Sequence, residues 1–192
     1  VQTNLKRMLA YSSIAHAGYM LMAFVGFGEA AVRQNSVASA LFYLAAYAFT
    51  SLGAWAVLVA VEKHDGSGNA INDLTGLGKS APALAAAMAV FMLSFTGIPL
   101  TLGFWGKFYL FRTAIEGGFI WLAVIGLLTS LVSAFYYLRV IVKMYFQSGE
   151  VAAHKGLLLR VIAVILALLV VGLAFMPGIL FNLAGAGIIA GA

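Results

Sequence analysis

Lys107 lies in the apolar run Ser94-Phe-Thr-Gly-Ile-Pro-Leu-Thr-Leu-Gly-Phe-Trp-Gly-Lys-Phe-Tyr-Leu-Phe111, which also carries helix breakers. An ammonium at the centre of a bilayer costs at least about 2.5 kcal/mol, so a lysine in such a segment is a functional candidate by default. A desolvated lysine can exchange a proton, whereas one that only anchors or struts a helix need not. Gly97, Pro99, Gly103 and Gly106 fall within ten residues of one another, and Pro99 has no N–H for a helix ladder. Carbonyls freed at membrane depth are tolerated only where protein or water satisfies them. The segment is therefore expected to be a discontinuous helix broken at Gly97, Pro99 and Gly103, lining an enclosed, hydrated site of the kind found in ion-coupled transporters.

A second set of polar residues falls on helix faces. Ser12, His16 and Tyr19 follow at spacings of four and three, as do Tyr43, Tyr47 and Thr50, so each trio shares a face. Thr129, Ser130, Ser133, Tyr136 and Tyr137 lie on one later segment. Such groups either glue membrane helices together or hold water along a proton path, and His16 can take and give a proton near neutrality. Arg139 and Lys143 are one turn apart; they read either as snorkelling anchors or as the basic entry to a half-channel.

These residues need a membrane scaffold, and the composition supplies one. The 192 residues are 64% hydrophobic and 9% charged, with no cysteine, and the mean hydropathy is +1.04. Soluble domains have about a quarter of their residues charged. The chain is thus an integral membrane protein, and the missing cysteines exclude a disulfide framework, thiolate-bound iron–sulfur clusters and a zinc–thiolate site. The net charge of +5 sits in short loops, which suits anchoring to a membrane face and not nucleic-acid binding.

The predicted fold is all-α, a polytopic transmembrane bundle of about five crossings. The segments are Met8 to Phe27, Val37 to Val61, Ala81 to Ile115, Gly118 to Phe146 and Leu157 to Phe181. About 20 helical residues cross a core of about 30 Å, and Ala81 to Ile115 would reach about 50 Å if unbroken. A break near Thr96 to Gly103 removes that excess. The polar stretch His64 to Asp73 reads as a surface turn, and the Gly/Ala-rich tail from Asn182 to Ala192 as chemically silent.

Charge asymmetry sets the expected orientation. Lys6, Arg7, Lys63, Lys79, Lys155 and Arg160 share one face, with Arg139 and Lys143 near it, while Arg33 and Arg112 are on the other. The positive-inside rule makes the first face cytoplasmic and puts the C-terminal tail on the periplasmic side. The N-terminus lacks methionine and signal-peptide architecture, so residues 1–192 are expected to be one transmembrane module, the C-terminal part of a longer subunit.

Asn4-Leu-Lys-Arg-Met-Leu-Ala-Tyr-Ser-Ser-Ile-Ala-His-Ala-Gly-Tyr19, together with Ser94 to Tyr109, resembles the antiporter-like membrane subunits of respiratory complex I, the proton-translocating NADH:quinone oxidoreductase, and within them the subunit-N branch. The resemblance spans the chain and implies helices ten to fourteen of a fourteen-helix subunit in a bacterial inner membrane, with Lys107 on the second broken helix. It implies a translocase subunit without a redox centre of its own, in which Lys107, His16, Tyr43 and Tyr47 line a proton route. NADH, flavin, iron–sulfur clusters and quinone are then expected elsewhere in the complex. Partners are expected to be the other membrane subunits, including neighbouring antiporter-like ones, and the lipid bilayer. A subunit of a multisubunit cation/proton antiporter, and a structural module in which Lys107 is only a strut, are the competing readings.

Overall fold

A computed structural model describes residues 2–28, 30–62, 68–149, 151 and 156–189. Lys63, His64 to Ser67, Lys155 and Ala190 to Ala192, named above as anchors, loop and tail, lie outside the described residues. The described residues form eight helices: α1 (Leu5–Leu21), α2 (Ala30–Val61), α3 (Leu77–Ser80), α4 (Pro82–Thr96), α5 (Leu102–Glu116), α6 (Ile120–Phe146), α7 (Leu157–Gly172) and α8 (Pro177–Ile189). Short 3-10 turns at Met22–Phe24, Ile71–Leu74 and Leu173–Phe175 extend or join them. Among the described residues three stretches are long and apolar enough to cross a membrane alone: Val32–Val61, Ile120–Phe146 and Leu157–Phe175. With α1 and the α4 and α5 halves between them, the chain is a polytopic membrane helix bundle.

Local chemistry explains the ends of these helices. Asn4 caps α1 by accepting the Arg7 amide at 3.0 Å, and Pro82 opens α4 at a position where its missing N–H costs nothing. At the other end of α4, Gly97 turns into the left-handed region (φ 85°) and Ile98 N donates to Leu93 O at 3.1 Å, a six-to-one closure of the last turn. Leu100 also has a positive φ of 72°, a strained state for a side chain with a Cβ, before extended Thr101 begins α5.

Long α2 is the post around which the bundle is arranged; α1, α4, α5, α7 and α8 all pack on it, and α6 closes the outside against α4 and α5. Close approach depends on small residues, as is usual where lipid supplies no hydrophobic drive between helices. Phe91 of α4 fills the space beside Gly53 of α2, where an added Cβ would sit 2.1 Å from its ring. Gly103 of α5 rests on the last turn of α4, and a Cβ there would be 2.0 Å from Ser94 O. At one end of the bundle, Leu5 N donates to Asn69 O and Ile71 N to Thr3 O. Lys6 pairs with Glu62 beside them, tying the start of α1 to the end of α2.

Several boundaries differ from the sequence reading. The second helix starts at Ala30, seven residues before the expected Val37, because the polar residues Arg33, Gln34 and Asn35 continue the helix beyond the apolar stretch. The last segment is kinked: a 3-10 turn and then Pro177, which has no N–H, interrupt it at Met176. Beyond the kink the chain stays helical to Ile189, so most of the expected tail is α8. Phe181 stacks on Tyr109 at 4.2 Å there, and Gly185 lies against Ala38.

A Gly103→Ala change is expected to cost about 1–3 kcal/mol by overpacking, because the clash is with the Ser94 backbone, which cannot rotate away. Thermal denaturation of the solubilised protein should show a lowered midpoint, while Gly18→Ala, whose new methyl meets nothing within 4 Å, should leave it unchanged or raised.

Candidate functional site at the helix break

The α4 helix ends inside the bundle, and its last carbonyls lack partners in their own helix. Lys107, one and a half turns into α5, reaches back to them. Its Nζ donates to Phe95 O at 2.8 Å, to Thr96 O at 3.0 Å and to Ser130 Oγ of α6 at 2.6 Å. An ammonium has three donors, and here each has an acceptor. Two of these acceptors are the negative end of a helix dipole, which favours a cation. The Tyr19 ring lies 5.2 Å away as a cation–π partner, and Lys107 is only 5% exposed. Gly97 leaves room for the aliphatic stem, since a Cβ there would come within 3.0 Å of Lys107 Cδ.

A second polar cluster stands behind Lys107. His16 Nδ1 is 2.5 Å from Tyr43 Oη, and Tyr137 Oη is 3.4 Å from His16 Nε2 and 2.5 Å from Ser12 Oγ. Tyr47 and Phe95 hold the imidazole between rings at 4.9 Å and 5.2 Å. Thr50 and Ser94 hydroxyls meet at 2.9 Å, and Ser94 Oγ also accepts the Gly103 amide at 3.2 Å, fixing the first turn of α5 on α4. Between the lysine and this cluster is a cavity with ≈ 10 Å³ open to the centre of a water molecule, bounded by His16, Tyr43, Tyr47, Thr50, Ser94 and Lys107. That is about the space one water needs, although the surface facing it is apolar.

On its other side Lys107 borders a cleft of ≈ 380 Å³ between α5 and α6, along with Thr96, Gly97, Phe104, Phe108 and Ser130. The amine thus stands between a one-water chamber and a wider opening. Chemically, this arrangement can hold a cation and pass protons between hydroxyl, imidazole and amine groups.

Of the residues singled out in the sequence, Lys107, His16, Tyr43 and Tyr47 meet around the small cavity, while Gly97 and Gly103 close the break and Pro99 lies in its exposed connection. Arg139 and Lys143 do not join them. Arg139 reaches Gln2 O at 3.5 Å and Lys143 bonds Gln147 at 2.8 Å, both at the end of α6. Two residues along a helix turn the side chain by about 200°, so Arg139 points away from the face of Tyr137. Ser130 and the Phe95 and Thr96 carbonyls were not legible as lysine partners. Ser130, Ser133, Tyr137, Val140 and Met144 form the buried stripe of α6, which was the available signal for Ser130.

Fold and site together define a class: a membrane helix bundle built around a discontinuous helix with an ammonium at its break. Residues 1–133 match the family described as NADH:quinone oxidoreductase/Mrp antiporter, TM, and the chain belongs to that family. NADH-quinone oxidoreductase subunit N of Bdellovibrio bacteriovorus is 42% identical over 184 residues, covering 95% of this chain and 38% of the relative. The protein of the same name from Trichlorobacter lovleyi is 54% identical over 149 residues, covering 78% and 30%. The chain therefore spans about a third of the length of these relatives. Among solved structures, respiratory complex I from Thermus thermophilus with bound aureothin contains a chain 34% identical, with TM-score 0.77, covering 95% of this chain and 40% of that one. A chain of the Mrp complex from Dietzia superimposes with TM-score 0.82 at 20% identity, covering 96% and 42%, a likeness of fold.

The hydrogen bond from Lys107 to Ser130 is charge-assisted, and its loss is expected to cost about 1.5–3 kcal/mol. Ser130→Ala should lower the thermal midpoint of the solubilised protein, and Ser130→Thr, which keeps the hydroxyl, should restore most of it.

Proposed function

We propose that the chain is the proton-translocating part of an antiporter-like subunit of NADH:quinone oxidoreductase, with Lys107 as its proton-carrying residue. The observation that carries this reading is the three-oxygen seat of the amine at a helix break, between a water-sized chamber lined by His16, Tyr43 and Tyr47 and an open cleft. An amine in such a place can be cationic when seated on the α4 carbonyls and neutral when its proton has left through the cleft. The chain itself would bind no NADH, flavin, iron–sulfur cluster or quinone; those belong to other subunits, whose redox work drives the charge movement. Neighbouring antiporter-like subunits and lipid would flank it in a bacterial inner membrane, with the face of Lys6 and Arg7 cytoplasmic. The names and 42–54% identities of the relatives favour this reading over a cation/proton antiporter subunit, for which the support is the family description that names both and a shared fold.

Proton uptake by reconstituted complex, driven by NADH and quinone, tests the role of the amine. Lys107→Met and Lys107→Ala should assemble normally and lose coupled pumping, since an apolar side chain fills space but carries no charge. Lys107→Arg should also fail, because a guanidinium keeps its proton in the accessible pH range. His16→Ala should do less harm, as water can bridge its gap. Normal pumping by assembled Lys107→Ala would leave only the strut.

Orientation has its own test, made simple by the absence of native cysteine. An impermeant thiol reagent on the cytoplasmic side should modify exposed Asn72→Cys and spare exposed Glu116→Cys; the reverse pattern would invert the orientation.

A further inference from the structure

The route just described has an exit but no assigned entrance on this chain; of the basic pair that the sequence offered for that role, Lys143 bonds Gln147 and Arg139 reaches Gln2 O. A third cavity fills the gap. A cleft of ≈ 280 Å³ runs between the first two turns of α1 and the second half of α6, lined by Gln2, Met8, Tyr11, Ser12, Phe135 and Tyr136. It begins at the end of the bundle that carries Lys6 and Arg7, and its inner wall is Ser12. Ser12 is itself buried, and its hydroxyl is bonded to Tyr137, which in turn faces His16.

We propose that this cleft is a water-access site and that Ser12 and Tyr137 form the entry wire by which protons from the α1 N-terminal face reach His16 and Lys107. The inference rests on the reading of Lys107 as a proton carrier and extends it to residues otherwise explained as helix glue. Geometry supplies a run of donors and acceptors from Ser12 Oγ through Tyr137 Oη, His16 Nε2 and His16 Nδ1 to Tyr43 Oη, and only the small cavity bordered by Tyr43 and Lys107 separates its end from the amine.

The transfer balances without any heavy-atom bond changing. A proton accepted by Ser12 displaces its hydroxyl hydrogen onto Tyr137, and that of Tyr137 moves onto His16 Nε2. The imidazole releases its Nδ1 hydrogen to Tyr43, whose own hydrogen passes through the chamber water onto the neutral amine. One proton has entered at Ser12 and one has arrived at Lys107, while each hydroxyl again holds one hydrogen. The imidazole is left as its other tautomer, so before the next transfer the hydroxyls rotate and the ring gives up its Nε2 hydrogen and regains one at Nδ1. Tyr137 is well suited to such a step. Its ring is held by stacking on Phe95 at 5.4 Å, which keeps the hydroxyl aimed at both neighbours.

Pumping by the intact complex in liposomes tests the wire, alongside Lys107→Ala. Tyr137→Phe keeps the ring stack and removes only the hydroxyl, so it should assemble normally and pump several-fold more slowly. Ser12→Thr should pump and its isostere Ser12→Val should not, whereas a packing role would treat the two alike. Because the two residues act in series, the double variant Ser12→Val, Tyr137→Phe should be no worse than the poorer single one. A Tyr11→Cys complex should pump until an impermeant thiol reagent, added on the α1 N-terminal face, plugs the cleft. Normal pumping by Tyr137→Phe together with equal behaviour of the Ser12 pair would overturn the entry wire alone, provided Lys107→Ala is inactive. Normal pumping by Lys107→Ala would overturn it together with the role of the lysine. Should Tyr137→Phe fail to assemble, the Thr and Val pair at Ser12 decides the matter.

Discussion

The structure depends on one contact, the seating of the Lys107 ammonium on the open carbonyls at the end of α4. A helix that stops inside a membrane bundle leaves acceptors with no water to satisfy them, and a lysine buried there leaves donors in the same difficulty. Each would be destabilising alone, by several kcal/mol for an unsatisfied group in hydrocarbon. Placed 2.8 and 3.0 Å apart they solve each other's problem, with Ser130 taking the third hydrogen. The break and the charge are therefore one feature. Such a seat also ties the charge state of the amine to the structure of the break, because a neutral amine has one donor fewer to offer.

Holding that seat requires backbones closer than side chains ordinarily allow. Gly97 clears space for the lysine stem, Gly103 lets the first turn of α5 lie on Ser94, and Gly106 gives Tyr43 room beside α5. The same rule operates outside the site, where Gly53 accepts the ring of Phe91 and Gly26 touches Gly117. Glycine in a helix costs up to about 1 kcal/mol relative to alanine. Here that loss is offset by dispersion contacts and by hydrogen bonds that longer separations would forbid.

Polar groups inside the bundle are arranged in short runs, each with a partner. Thr50 meets Ser94, Ser39 meets Thr113, Tyr19 meets Thr129 and Ser12 meets Tyr137. A bond of this type contributes only about 0.6 kcal/mol on average between membrane helices, so stability alone is a weak reason to have so many. Their alignment matters more: Ser12 and Tyr137 lead to His16, Thr50 and Ser94 border the cavity it shares with Lys107, and Tyr19 lies against the Lys107 amine.

Much of this was legible in the residues themselves. Membrane class, the all-helical fold, the broken segment and the lysine in it followed from hydropathy, length and the glycine and proline positions, all of which act locally. The trio spacing on α1 and α2 put His16, Tyr43 and Tyr47 on faces that do meet. The kink at Met176, the helical end of the chain and the early start of α2 were missed, since polar or small residues stay helical when neighbouring helices pack on them. Arg139 and Lys143, one turn apart in the sequence, bond Gln2 and Gln147 and do not border the small cavity beside Lys107. Which atoms receive the ammonium was beyond the sequence: Phe95 and Thr96 offer backbone oxygens that any residue type would offer, and Ser130 comes from another helix. Residue types thus determined that a charge is buried at a break, and only the packing of α4, α5 and α6 decided what it touches, because hydrogen-bond partners are set by distance in space and not along the chain.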